Sequence, residues 1–295
     1  MKQSYQSIRI GKQGLALIEH VNQTIDEYRA AGYTFTLRQV YYQLVAGAII
    51  ENTKKSYKNF GNHVKNGRLA GYIDWSAIED RTRIFRKPPA WDSPAQILKV
   101  AAEQYKRDLW EPQDNYVEVW VEKDAQIAIV ESAASRFNCP CFACRGFSSV
   151  TATREAALRF IKKTEQGKDC ILIYLGDHDP SGMNITQVIG KHLTLFGATV
   201  DVRRIALNRD HIDLYKPPPY PAKITDTRSK DYIAKHGNHS WELDALKPDV
   251  IDALITDAIE INLDRKRFNQ AIERQESERQ SLQAIVSDFN TEPVR

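Results

Sequence analysis

Long apolar runs are missing from this chain of 295 residues. None reaches eighteen residues, and Met1 to Lys12 holds no apolar segment of the kind that heads an exported protein. A membrane helix needs about 20 apolar residues and a secretory leader a shorter apolar core. The expected home is therefore the cytoplasm, or the nucleoid if DNA is the partner. Cysteine is also scarce: four in all, three of them in Cys139-Pro140-Cys141-Phe142-Ala143-Cys144. That spacing is not the paired C-x₂-C of a zinc ribbon, and Cys170 supplies no second pair. Cys139 and Cys141 would share one face of a strand, with Phe142 and Cys144 on the other, so buried reduced thiols are expected. Internal repeats and low-complexity tracts are absent as well. A hydrophobic fraction of 42% with 27% charged residues is that of an ordinary globular protein, and the length admits two domains with separate cores.

The net charge of +3 conceals an uneven distribution. Residues 1–90 carry 14 Lys/Arg against 7 Asp/Glu; subtracting these from the totals of 41 and 38 leaves 27 and 31 for the other residues. A basic N-terminal third ahead of a more acidic body suits a polyanion held near a bound cation.

Helical periodicity marks 12–31, with Leu15, Leu17, Ile18, Val21 and Ile25 on or near one face. Thr36 is an N-cap candidate for a second helix to about Ala46, and a basic third helix runs from about Thr53 to Leu69. Gly71-Tyr72-Ile73-Asp74-Trp75 reads as strand or wing. Helix, turn, basic helix and hairpin suggest a winged helix-turn-helix. Pro88, Pro89 and Pro94 mark a linker, and 95–110 a connecting helix. Strands at 116–121, 140–145, 170–175 and 199–207 then alternate with helices near 125–137, 152–164 and 183–196. That order predicts an α/β fold with a parallel sheet and right-handed crossovers. Pro217-Pro218-Pro219-Tyr220-Pro221 reads as an ordered loop leaving the sheet. From Pro248 onward the pattern is helical, ending in a charged, solvated stretch from Arg265 to Arg279. The expected division is 1–90, 91–115 as linker and connecting helix, 116–246, and 247–295 as C-terminal helices.

Two acidic signatures follow strands: Val119-Trp120-Val121-Glu122-Lys123-Asp124-Ala125, and Leu175-Gly176-Asp177-His178-Asp179-Pro180-Ser181-Gly182. In an open α/β sheet such carboxyl ends are where ligands bind. Carboxylates gathered there repel one another unless a cation joins them, and oxygen-only ligation suits Mg²⁺, with Mn²⁺ as a substitute. Glu122, Asp177 and Asp179 are the expected metal ligands. A Glu after the first strand and Asp-x-Asp after a later one resemble the Toprim domain of topoisomerases, bacterial primases and OLD-family nucleases.

The second decisive segment is Thr36-Leu37-Arg38-Gln39-Val40-Tyr41-Tyr42-Gln43-Leu44. At 100° per residue, Leu37, Val40, Tyr41, Leu44 and Val45 form one apolar stripe. This assigns Tyr41 to packing and turns Tyr42 toward solvent or substrate, one helical turn after Arg38. A neighbouring cation lowers the cost of forming a phenolate, and Arg38 would also hold a phosphate oxygen. An aromatic pair in a small helical core is the alternative.

Together the segments resemble the A subunit of type IIB topoisomerases (topoisomerase VI) and its meiotic double-strand-break relatives, in a compact phage- or plasmid-type form. These join a winged helix to a Toprim domain in this order. The resemblance, over roughly 33–246, makes Tyr42 the DNA-attacking tyrosine beside Arg38, and Glu122, Asp177 and Asp179 the Toprim acids. Glu242-Leu243-Asp244-Ala245-Leu246 resembles a family segment that follows the metal domain. The resemblance further implies double-stranded DNA as substrate, a homodimer sharing tyrosines between subunits, and a separate GHKL-type ATPase subunit. His178 stands where the family usually carries Gly, and the chain is short for such a subunit.

On the third helix Lys54, Lys55, Lys58, Lys65 and Arg68 are expected at DNA phosphates, with Tyr57 and Phe60 interleaved. Arg81, Arg83 and Arg86 are expected on the wing. His178 is a candidate for supporting the metal site or touching phosphate, and Gly146 for letting backbone approach a ligand. Two further readings use the same scaffold: a metal-dependent nuclease in which water replaces Tyr42, and a non-catalytic DNA-binding protein. A primase is the weakest reading, because no zinc ribbon precedes the acids.

Overall fold

The computed structural model describes residues 1–30, 35–79, 88–146, 149–222, 226 and 228–291, the last four of these by backbone alone. Four parallel strands form the centre: β3 (Asn115–Val121), β4 (Cys141–Ala143), β5 (Asp169–Leu175) and β6 (Asp201–Ala206), in spatial order β4-β3-β5-β6. The protein is thus α/β with a parallel-sheet core. Among the described residues no helix is long and apolar enough to cross a membrane.

Apolar residues run almost unbroken along β3 and β5, as they must in strands covered on both faces. Val117, Val119, Val121, Ile171, Ile173 and Leu175 pack with α5 (Ile127–Ser135), α10 (Pro248–Glu260) and Phe268 of α11 (Arg265–Thr291). Tyr116, Trp120, Leu172 and Tyr174 pack with α6 (Val150–Glu165) and α7 (Pro180–Leu195) on the opposite face. The cysteines follow the alternation: Cys139 and Cys141 on the first face, Cys144 and Phe142 on the second, all four thiols free. Glu118, 2% exposed within the second face, is satisfied by Tyr116 Oη, Trp120 Nε1 and a two-pronged Arg159 at 2.9–3.0 Å.

From β3 the chain steps outward to β4, then returns past β3 to place β5 on its other side. The helices after β3 and β5 consequently cover opposite faces, which opens a crevice between the carboxyl ends of these two strands. That is the ligand position of a doubly wound sheet. Glu122 and Asp177 leave the strands at this point.

The N-terminal helices are α1 (Lys12–Ala30), α2 (Leu37–Ala46) and α3 (Lys54–Leu69), around a core that includes Ile18, Val21, Val40, Tyr41, Phe60 and Val64. Thr36 and Gln39 close a capping box on α2, and Thr53 caps α3. β1 (Phe35–Thr36) pairs in parallel with β2 (Ile78–Glu79). Three expectations change here. Residues 71–75 form no strand: a turn leads into a 3₁₀ helix, Trp75–Ala77, capped by Asp74. The connecting helix α4 (Pro94–Gln104) stops short of 110, and the chain beyond is strapped to α11 by Tyr105 and Arg107 on Glu278. The charged stretch on α11 is not wholly solvated, since Phe268 and Ala271 are buried. Arg81, Arg83 and Arg86 lie outside the described residues.

Candidate active site at the carboxyl edge of the sheet

Glu122 extends β3 by one ladder bond, its N–H donating to Leu175 O at 2.9 Å. Its side chain turns across the crevice and accepts from Asp177 N–H at 2.9 Å. Gly176 makes this approach possible, because a Cβ there would sit 2.7 Å from Glu122 Oε2. Gly182 has a similar role one turn on: a Cβ would lie 2.3 Å from Asp177 O. Asp179 caps α7, its Oδ1 accepting from Gly182 N–H at 2.6 Å. Arg204 of β6 fastens the loop from behind, donating to the carbonyls of Gly176 at 2.8 Å, Asp177 at 2.6 Å and Gly182 at 3.1 Å.

His178 does not face the acids. Its ring meets Tyr232 Oη at 2.8 Å, and its backbone exchanges two hydrogen bonds with Trp241 at 2.8 and 3.0 Å. His178 is therefore a bracket, not a phosphate contact. This bracket carries the following turn, Glu242 to Asp244, against the acids, and Leu243 N–H donates to Asp177 Oδ1 at 2.9 Å.

Between these loops lies Lys123. Its ammonium is 2.6 Å from Asp177 Oδ2, 3.0 Å from Glu242 Oε2 and 3.3 Å from Asp244 Oδ2. Arg38 reaches the same turn from α2, with Nη2 2.7 Å from Glu242 Oε2 and Nε 3.2 Å from Asp244 Oδ2. Tyr42 lies at the same junction, its hydroxyl oxygen 3.4 Å from Arg38 Nη2, from which it accepts. Segments around 38–42, 122–123, 177–179 and 242–244 thus meet in one place.

Tyr42 does not face solvent as the helical stripe predicts. Tyr42 is 7% exposed and belongs to the helical core. Its phenol pKa is raised, first by burial and then by Glu242; Arg38 and Lys123 pull the other way and lose. Arg38 favours phenolate as expected, but it also pairs with two carboxylates, and burial and Glu242 outweigh its pull. Tyr41 is buried, its hydroxyl donating to Glu51 O at 2.9 Å. On α3, Lys54, Lys55, Lys58 and Lys65 are exposed. Arg68 is not available to DNA: it holds the carbonyls of Trp75 and Ile78 and stacks on the Trp75 ring at 4.8 Å. Phe60 is core, and Gly146 is required by its φ of +90° rather than by a close neighbour.

Burial, followed by the charge of Asp177, pushes the Glu122 carboxyl up to about 7, and Asp177 is raised by its own burial against the pull of Lys123. Glu242 is the opposite case: burial would raise it, but Lys123 and Arg38 hold it at about 2. Among the described residues no group of three His, Cys, Asp or Glu could hold a metal ion as it stands. Asp179 Oδ1 serves α7 and Asp177 Oδ2 faces Lys123. The donor chemistry nonetheless fits Mg²⁺: every candidate offers oxygen alone, and a cation would relieve the mutual repulsion that lifts Glu122.

A raised carboxyl pKa costs stability where the folded chain still holds a proton that the unfolded chain has released. For Glu122 that window runs from its ordinary 4.5 up to about 7. Glu122→Gln, which keeps the acceptor for Asp177 N–H, should therefore gain on the parent as pH rises from 4.5 to 8, reaching about 1–3 kcal/mol. Urea denaturation across that range measures the gap. A gap that stays constant with pH would show that Glu122 ionises freely.

No protein-family model, curated protein or solved structure matches this chain. What the site can do is decided by its own groups: an acid cluster at a strand switch point, with a phenol and two cations on its rim.

Proposed function

We propose that the chain is a Mg²⁺-dependent DNA-cleaving enzyme of the type IIB topoisomerase A-subunit kind, with a winged-helix N-terminal unit and a Toprim-like sheet. The observation that carries this reading is the convergence of Tyr42, Arg38 and Lys123 on the Glu242–Asp244 turn, directly beside Asp177. Glu122, Asp177 and Asp179 would hold the ion, whose chemistry is to stabilise charge on phosphate and on the leaving oxygen. Arg38 and Lys123 bind and orient the phosphate oxygens by charge-assisted hydrogen bonds. Tyr42 is the nucleophile: its oxygen bonds to phosphorus as the bond to the 3′ oxygen breaks, so the bond energy is kept for religation. Exposed Lys54, Lys55, Lys58 and Lys65 line the DNA backbone along α3. The working unit is a homodimer on double-stranded DNA, associated with the nucleoid, and any ATP-driven strand passage would need a separate GHKL-type ATPase.

One observation favours a second reading. Tyr42 is buried and its pKa raised, which suits a nuclease that uses water and keeps the phenol as a contact.

Incubation with DNA and Mg²⁺ followed by denaturant should trap a protein–DNA adduct, lost in Tyr42→Phe. Cleavage that survives in Tyr42→Phe, leaving 5′-phosphate ends with no protein attached, would establish the water reading instead. Neutralising Lys54, Lys55 and Lys58 together should weaken binding to all sequences alike. The slope of log affinity against log salt should flatten by about 0.9 for each phosphate that these lysines no longer neutralise. An unchanged slope would place the DNA elsewhere.

A further inference from the structure

One carboxylate oxygen gathers an unusual set of donors. Glu242 Oε2 receives Arg38 Nη2 at 2.7 Å and Lys123 Nζ at 3.0 Å, and the Tyr42 hydroxyl stands beside them, 3.4 Å from the same Arg38 nitrogen. A guanidinium N–H and an ammonium converging on one carboxylate oxygen, with a phenol beside them, make the donor set that phosphate oxygens take.

The three acids at this point are not equivalent. The side chains of Asp244 and Asp177 are 0% and 7% exposed, whereas Glu242 is 24% exposed and sits at the mouth beside Arg38. Asp177 is also pinned by Leu243 N–H. Glu242 precedes the 3₁₀ turn Leu243–Ala245 without capping it, so the local backbone makes no demand on its carboxylate. If Glu242 leaves, Asp177 and Asp244 remain as inner counter-ions for Lys123 and Arg38. A phosphodiester carries one negative charge, as Glu242 does, so the exchange leaves the sum of charges unchanged. A groove of about 640 Å³ borders Arg38 and is lined also by Tyr57 and Lys65 of α3 and by Asp124 and Ala125.

We propose that Arg38, Lys123 and Tyr42 form a phosphodiester-binding site whose place Glu242 holds in the DNA-free chain, and that Glu242 withdraws when a DNA phosphate enters. The identity of the ligand as DNA rests on the cleavage reading; the anion site rests on the geometry.

The test measures binding of a short DNA duplex by fluorescence anisotropy in EDTA, where no metal-dependent cleavage runs. Glu242→Gln should tighten binding about 3- to 5-fold, the scale of one partly exposed ion pair released. On a Lys123→Met background the same substitution should give little or no gain. A general charge effect would instead give the same factor on both backgrounds and would overturn the site. Unchanged or weaker binding by a folded Glu242→Gln chain would make Glu242 a permanent strap and also overturn it. If Glu242→Gln does not fold, Glu242→Asp keeps the charge, shortens its reach and should give a smaller gain; no gain counts against the site. Inorganic phosphate is the second probe, and a gain for it without one for duplex would overturn the assignment to DNA. A gain with no Tyr42-linked adduct would sink the cleavage reading and leave the phosphate site; an adduct without the gain would do the reverse.

Discussion

One half-buried ammonium orders the heart of this molecule. Lys123 follows the last residues of β3 and meets Asp177 from β5 together with Glu242 and Asp244 from the turn beyond the sheet. Arg38 grips the same turn from α2, and Gln43 one turn later donates to Leu246 O at 3.3 Å. The helical unit and the sheet are joined through this charge cluster. Its construction demands two glycines where any Cβ would collide, an arginine behind the loop, and the His178–Trp241 bracket that carries the acidic turn inward.

Such a cluster is a poor way to gain stability. Desolvating Lys123, Asp177 and Asp244 costs several kcal/mol per ion, and apolar residues of similar volume would hold the junction at least as well. The raised pKa of Glu122 beside it is a further cost. Groups kept at such expense at the switch point of a parallel sheet are what a ligand site requires. On the proposed function the ligand would combine a hard cation with a phosphate: oxygen donors for the first, a guanidinium, an ammonium and a phenol for the second.

Much of this was legible in the chain itself. Near-continuous apolar runs marked β3 and β5, the following acids marked their carboxyl ends, and Thr36 and Thr53 announced helices where helices are found. What escaped notice depends on partners far away in sequence. A helical wheel for α2 turns Tyr42 outward, yet that outward side is covered by a turn some 200 residues on. Lys123 stood directly after the marked Glu122, and its position just after a strand end was the available signal; the three carboxylates that claim it were not. Arg68 looked like its lysine neighbours because nothing local reveals that its guanidinium serves the carbonyls of Trp75 and Ile78. His178, odd within an acidic pair, makes sense only once Tyr232 and Trp241 are in place.

The claim beneath all of this is that the carboxylates at the strand ends form a cation site. Calorimetric titration of the full chain with Mn²⁺ at pH 8 tests it most directly. The account predicts saturable binding that falls tenfold or more in Asp177→Asn and is untouched in Asp252→Asn, whose carboxylate pairs with Arg136 at the C-terminal end of α5. No binding, or binding indifferent to Asp177→Asn, would contradict it.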